Sequence, residues 1–273
     1  MSQSQQAQHL IVGDGDNQRP IAYLTQPRNV SRRVSHRAPG IFWLQGFKSE
    51  MLSLKATALA DWTQQNGLAY TRFDYSGHGQ SCSEPSARFE DGTISRWLEE
   101  TLAIFEQVTD GPQIVVGSSM GGYLALLLAR KLQASATASM PSRVVGIVMI
   151  APAWDMTEEL MWKRAPEDVR RQITEHGVWY RPSQYSDDPY PITSGLIEDG
   201  RKNLLGSTMW NPGCPVEIIH GRLDPDVPYD HSERLVASLT GVPVNLTEVP
   251  DGEHRLSRPQ DLALLFDRIA ALL

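Results

Sequence analysis

Apolar positions follow two rhythms along the chain. Short runs, several of them unbroken Val and Ile, recur at 21–25, 41–44, 69–75, 114–116, 144–150, 216–220 and 244–249. Runs of that length with no polar residue at every second place predict strands covered on both faces, and therefore a mostly parallel sheet. Longer stretches with helical spacing fall between them, at about 55–65, 94–108, 123–133, 232–239 and 259–272. Alternation of this kind predicts right-handed crossovers with helices on both sheet faces. The first strand or two should form an antiparallel hairpin at one edge. The expectation is an α/β chain whose residues 1–273 make one domain around a sheet of about eight strands. No internal repeat is visible.

One stretch breaks the rhythm. Some sixty residues, 153–211, stand between two strands where a short crossover helix would suffice. They are rich in Trp, Tyr and Met: Trp154, Met156, Met161, Trp162, Trp179, Tyr180, Tyr185, Tyr190, Met209 and Trp210. The segment reads as a lid with helices at 157–175, broken near Pro166, and at 196–205. Any single aromatic here could simply anchor the insertion to the core. As a group they suggest an apolar pocket, with Trp154, Met161, Trp162, Trp179 and Tyr180 as the lining expected first.

Composition narrows the partners. A net charge of −7 with 41% hydrophobic residues suits an ordinary globular chain and argues against a nucleic-acid footprint. The arginine-rich patch at 28–37 reads as a solvated turn. Cys82 and Cys214, far apart, imply no disulfide framework. The polar, arginine-free start lacks an apolar secretory core, and no apolar stretch reaches the roughly 18–20 residues of a membrane span. These features predict a cytoplasmic location. Oligomeric state is not legible.

The most informative local pattern is Gly117-Ser118-Ser119-Met120-Gly121, a G-x-S-x-G set between an apolar run and a helix-forming one. In strand–turn–helix context the glycines permit a turn too tight for side chains, and the central serine is lifted above the sheet edge at a helix N-terminus. Ser119 is therefore the candidate nucleophile. A serine needs a base, and the base needs an orienting acid. On the strand–turn–helix scaffold these follow in the order acid, then histidine. Asp224 lies just after the strand-like run 216–220, and His254 lies in a turn-rich loop after 244–249. Asp226 competes with Asp224 for the acid role. The other histidines, His9, His36, His78, His176, His220 and His231, read as structural or solvated. No two of them stand at helical i, i+4 spacing with a carboxylate, so no metal site is expected.

Beyond these residues the chain resembles the α/β-hydrolases over 21–273. Three segments are similar to the group that contains the mitochondrial palmitoyl-protein thioesterase, also described as an acyl-glucuronide esterase. They are Phe42-Trp43-Leu44-Gln45-Gly46-Phe47-Lys48-Ser49-Glu50-Met51 with Lys55-Ala56, Arg72-Phe73-Asp74-Tyr75-Ser76-Gly77-His78-Gly79-Gln80-Ser81, and Ile192-Thr193-Ser194-Gly195-Leu196-Ile197-Glu198-Asp199-Gly200-Arg201. That group lends the expectation of thioester or ester hydrolysis without a cofactor, on a small-molecule or acylated-protein substrate.

Two oxyanion donors are expected, the N–H of Met120 after the serine and the N–H of Phe47 in the loop after the strand 41–44. Lys48 reads equally well as a solvated residue or a substrate contact. Two alternatives share the same triad: a C–C bond hydrolase and a ligand receptor on a hydrolase fold. A non-catalytic scaffold would have no reason to keep all three triad members.

Overall fold

The computed structural model describes residues 6–29, 38–82, 87–137, 142–182 and 189–273. Tyr185, the first five residues and all but the first two residues of the 28–37 patch lie outside them. The chain begins with β1 (Gln8–Val12) and β2 (Arg19–Gln26), paired antiparallel as the edge hairpin. There follow β3 (Gly40–Leu44), α1 (Leu54–Asn66), β4 (Tyr70–Phe73), α2 (Ile94–Val108), β5 (Gln113–Ser118), α3 (Met120–Ser135) and β6 (Val144–Ile150). An insertion then carries α4 (Glu167–His176), β7 (Val178–Arg181), β8 (Tyr190–Thr193) and α5 (Ser194–Gly200). The chain closes with β9 (Val216–Gly221), α6 (Tyr229–Ser238), β10 (Val244–Val249) and α7 (Pro259–Ala270).

Eight strands form one sheet in the order β1-β2-β4-β3-β5-β6-β9-β10. From β4 onward every pairing is parallel, while β2 meets β4 antiparallel. The order reverses next to β3 and β5, and at such a switch point neighbouring loops diverge and leave a crevice above the carboxyl ends of the strands. Every residue of β3, β5 and β9 is buried. One apolar cluster packs α2 and α3 against one sheet face, and a second packs α1 and α7 against the other.

The insertion departs from the sequence expectation. Residues Thr157–Trp162 form a π-helical turn rather than the first half of an α-helix, and α4 starts only after Pro166, which caps it. Proline offers no N–H to continue the earlier turn, so the break falls there. The helix expected at 196–205 is shorter and earlier. After α5 the chain uncoils so that the carbonyl of Asn203 accepts from Tyr123 Oη at 2.9 Å and that of Leu204 accepts from Arg130 at 3.0 Å. Between α4 and α5 lies an antiparallel β7–β8 hairpin that the apolar pattern did not announce.

Candidate active site

Three loops at the carboxyl ends of β5, β9 and β10 build the site. Ser119 sits between β5 and α3 at φ 54° and ψ −117°, a conformation that strains any residue with a Cβ. Packing enforces it. A side chain on Gly121 would collide with the Leu44 carbonyl, and one on Gly117 would collide with Gly121. The Ser119 N–H donates to Ile150 O at 2.8 Å, and its carbonyl accepts from Ala153 N at 3.1 Å.

The other two loops are laced together. Arg222 N donates to Val249 O and Leu223 N to Gly252 O, both at 2.9 Å. Gly221 permits this approach, since a Cβ there would strike Gly252. As a result His254 Nδ1 lies 2.7 Å from Asp224 Oδ2, and His254 Nε2 lies 3.1 Å from Ser119 Oγ. A carboxylate only accepts, so the imidazole proton is on Nδ1 and Nε2 is free to accept from the serine hydroxyl.

Asp224 is saturated with donors. Its Oδ1 accepts from the N–H groups of Asp226 and Val227, each at 2.9 Å. Its Oδ2 also accepts from His220 Nε2 at 3.2 Å. Burial works against the charged carboxylate, yet the hydrogen bonds from His220, His254 and Val227 outweigh it and hold the group well below the usual range. Asp226 points elsewhere: its carboxylate pairs with Arg181 at 3.0 Å. The competition between the two acids is thereby decided geometrically in favour of contact between Asp224 and His254.

Beside the serine runs the loop after β3. Gly46 lies so close that a Cβ there would stand 3.3 Å from Ser119 Cβ. Phe47 follows, its ring edge-on to Phe89, Trp97 and Tyr190 at centroid distances of 4.9, 5.9 and 5.9 Å. Met120 is the first residue of α3, where a helix has N–H groups without intrahelical partners.

Above the serine opens a cavity of about 540 Å³. One wall is apolar, with Phe47, Met156, Leu160, Met161, Ile192 and Val227; the rim carries Lys48, Lys55, Arg181 and Arg255. Lys48 Nζ donates to Pro189 O at 2.9 Å and lies 5.5 Å from the Tyr190 ring centre. Lys55 binds the Arg255 carbonyl and Ser257 Oγ beside His254, and burial with the nearby Arg255 charge brings its pKa down to about 8.

Of the five lid residues expected to line the pocket, Met161 does so, and Trp179 lines an adjoining cavity of about 190 Å³. Trp154 is instead buried beneath the site. It stacks on His231 at 4.7 Å and donates its Nε1–H to the His231 carbonyl, an anchoring role set by the need to satisfy its indole N–H. Trp162 lies under the Arg201 guanidinium at 5.0 Å, and Tyr180 is 51% exposed. Neither lines the cavity; Trp162 packs instead against the cluster of Ile173, Ile192 and Ile197.

Sequence reasoning read His220 as structural or solvated and did not place it against the Asp224 carboxylate, where it lies. His220 sits at the end of β9, four residues before Asp224, and this proximity was the available signal. Among the described residues, ligand atoms of Asp224, Asp226 and His254 lie within 4.8 Å of one another, a spacing that would admit a cation. Their atoms are already committed, to each other and to Arg181.

The family described as alpha/beta hydrolase fold matches residues 54–188. The bovine protein named palmitoyl-protein thioesterase ABHD10, mitochondrial, is 31% identical over 90% of this chain and 77% of its own length. A solved structure of a putative hydrolase from Agrobacterium vitis S4 superposes with a TM-score of 0.89 at 42% identity, covering 98% of both chains. Mouse alpha/beta hydrolase domain-containing protein 10 superposes with a TM-score of 0.80 at 27% identity, again over 98% of both. The names of the curated relatives, the human one included, place them in mitochondria, which overturns the cytoplasmic expectation. The physical reason is that a compartment address is a separate, removable segment, so the composition of the folded part carries no record of it. Among the described residues, no helix is long and apolar enough to cross a membrane.

Proposed function

Because the chain belongs to the α/β-hydrolase family and is a hydrolase of the ester and thioester class, we propose that it transfers an acyl group to water through Ser119. In this reading the whole chain is one hydrolase domain, and residues 153–211 are a lid over the cavity. The observation that carries it is the unbroken hydrogen-bonded line from Ser119 Oγ through His254 to Asp224, opening on a cavity with an apolar wall.

His254 Nε2 takes the Ser119 proton as Oγ attacks the carbonyl carbon. The N–H groups of Phe47 and Met120 receive the oxyanion, an interaction worth about 2.7–4 kcal/mol per donor. His254 then hands the proton to the leaving alcohol or thiol, which departs as the acyl-enzyme forms. A water molecule, deprotonated by the same nitrogen, attacks the acyl carbon; the Oγ–acyl bond breaks, His254 returns the proton to Ser119 Oγ, and the acid is released. Asp224 keeps the Nδ1–H tautomer in place and balances the imidazolium charge. The apolar wall of Met156, Leu160, Met161 and Ile192 suits an apolar acyl chain, with either a small molecule or an acylated protein as its carrier.

The test is hydrolysis of matched oxygen esters and thioesters from acetyl to palmitoyl, with Ser119→Ala as control. Serine-dependent turnover that rises with thioester chain length supports the reading. Turnover confined to short oxygen esters removes the long-chain substrate, and silence across the panel removes the acyl-transfer reading altogether.

A further inference from the structure

The segment 72–81 stands beside the site without a part in the chemistry so far. Its residue His78 is buried, with its ring flanked by Tyr75, Phe89 and Trp97 at centroid distances of 5.5, 4.9 and 5.4 Å. Nδ1 lies 3.2 Å from the Ser76 carbonyl, which can only accept, so the ring proton belongs on Nδ1. Nε2 is then a bare acceptor. It lies 3.1 Å from the Lys48 N–H, the peptide group that immediately follows Phe47.

That peptide needs an external hold. Lys48 has φ 56°, in the left-handed region that a lysine seldom occupies. Nearby, Met51 N donates to Asp74 Oδ1 at 2.6 Å, so the 72–81 segment grips the loop after β3 at two points. The grip is itself anchored in the core. Ser76 donates its N–H and Oγ–H to Glu100 at 2.9 and 2.6 Å, its carbonyl accepts from Trp97 Nε1 at 3.2 Å, and Glu100 pairs with Arg19 inside the protein.

We propose that His78 is a positioning residue for oxyanion stabilisation. By accepting the Lys48 N–H it fixes the backbone at 47–48 so that the Phe47 N–H stays aimed above Ser119. The inference rests on the reading of Phe47 and Met120 as the oxyanion donors. Burial pushes the His78 pKa down to about 4, so near neutral pH the ring is uncharged and keeps the acceptor that the loop requires.

A pair of substitutions isolates the one hydrogen bond. His78→Asn keeps a donor toward Ser76 and loses the acceptor toward Lys48, whereas His78→Gln extends an amide oxygen to the Nε2 position. With p-nitrophenyl butyrate as substrate, His78→Asn should lower kcat about 10- to 100-fold with KM changed less than about threefold, because the lost contact acts in the transition state. His78→Gln should recover most of that loss. Equal losses in both variants, or none in either at unchanged Tm, overturn the role.

Should both variants fail to fold, nitrogen-15 NMR of the histidines in the unaltered protein decides. A protonated Nδ1 and bare Nε2 support the proposal, and the opposite tautomer sinks it. Ser119→Ala separates the two levels. Retained activity there would remove the active-site reading and this inference together. A dead Ser119→Ala beside a fully active His78→Asn would remove the His78 role alone.

Discussion

The turn that carries Ser119 and the 153–211 insertion above it are built on opposite principles. Around the serine, β3, β5 and the first ten residues of α3 are buried without interruption. The insertion sends Trp154, Met156 and Leu196 into the main core, but Ile173, Ile192 and Ile197 form a smaller cluster, and β7 buries none of its four residues. Its outer hairpin is tied to the rest through polar contacts such as Arg181–Asp226, whose partners are partly exposed, and exposed pairs of this kind contribute about 0–1 kcal/mol. A strained serine must have its backbone held firmly by the packing beneath it, because any slack would let that backbone relax. A surface that does not hold the strained turn can rest on weaker contacts, and on the reading proposed above the difference makes chemistry and substrate choice separable.

The sharpest break of that separation is Ser119→Ala. It should lower kcat about 10⁶-fold, as for other triad serines, while Tm stays within a degree or two. Hydrolysis near the wild-type rate would remove the nucleophile. Next comes the acid. Asp224→Asn should cost about 10⁴-fold in kcat by favouring the wrong tautomer of His254. Asp226→Asn should weaken the Arg181 pair and stay within about threefold; the reverse ranking in steady-state kinetics would exchange the two roles.

Two predictions concern the rigid half. Gly121→Ala drives a methyl group into the Leu44 carbonyl and should cost about 3 kcal/mol in urea unfolding, since backbone on both sides blocks relaxation. An unchanged midpoint would mean that the turn is looser than its packing implies. Asp74 tests the same half by pH. Burial raises its pKa to about 6, against the ordinary carboxylate near 3.8, despite hydrogen bonds from Gln80 and Met51. The folded state therefore binds the proton more tightly than the unfolded one. Asp74 should favour folding most below about pH 4, and this stabilisation should fade as pH rises through 6, a change on the order of 2–3 kcal/mol. Unfolding titrations between pH 4 and 6.5 should show that slope in the wild type and lose it in Asp74→Asn.

The smallest effect belongs to the insertion. Met161→Ala should raise KM for long-chain esters about three- to tenfold, leave kcat for acetyl esters unchanged, and barely move Tm. A fall in kcat for every chain length would show that the insertion also holds the reacting groups.

Much of the rigid half was legible because burial on both faces writes itself as continuous Val and Ile, as at 144–150, and because Gly117 and Gly121 occur where no other residue fits. Asp224 and His254 could be proposed as partners because each follows a strand-like run in the expected order, and the fold brings them within hydrogen-bonding distance. The insertion was less legible. Val178–Arg181 and Tyr190–Thr193 are too short and too evenly mixed to announce a hairpin, and Thr157–Trp162 has no local pattern that separates a π turn from an α-helix. Trp154, Trp162 and Tyr180 looked alike on paper to Met161, yet only packing decides which side of a thin layer faces the cavity.

The alternation of strands and helices outside the 153–211 segment, the turn that carries Ser119 and the residue types around it were already contained in the chain. They depend on local conformation and on periodic burial, both of which a sequence records directly. The choice of Asp224 over Asp226, the second histidine on that carboxylate, the hold of His78 on the loop after β3 and the lining of the cavity arose only on folding. Each joins residues far apart in the chain, or picks one of two neighbouring groups by where a side chain points, and such contacts leave no trace in local composition.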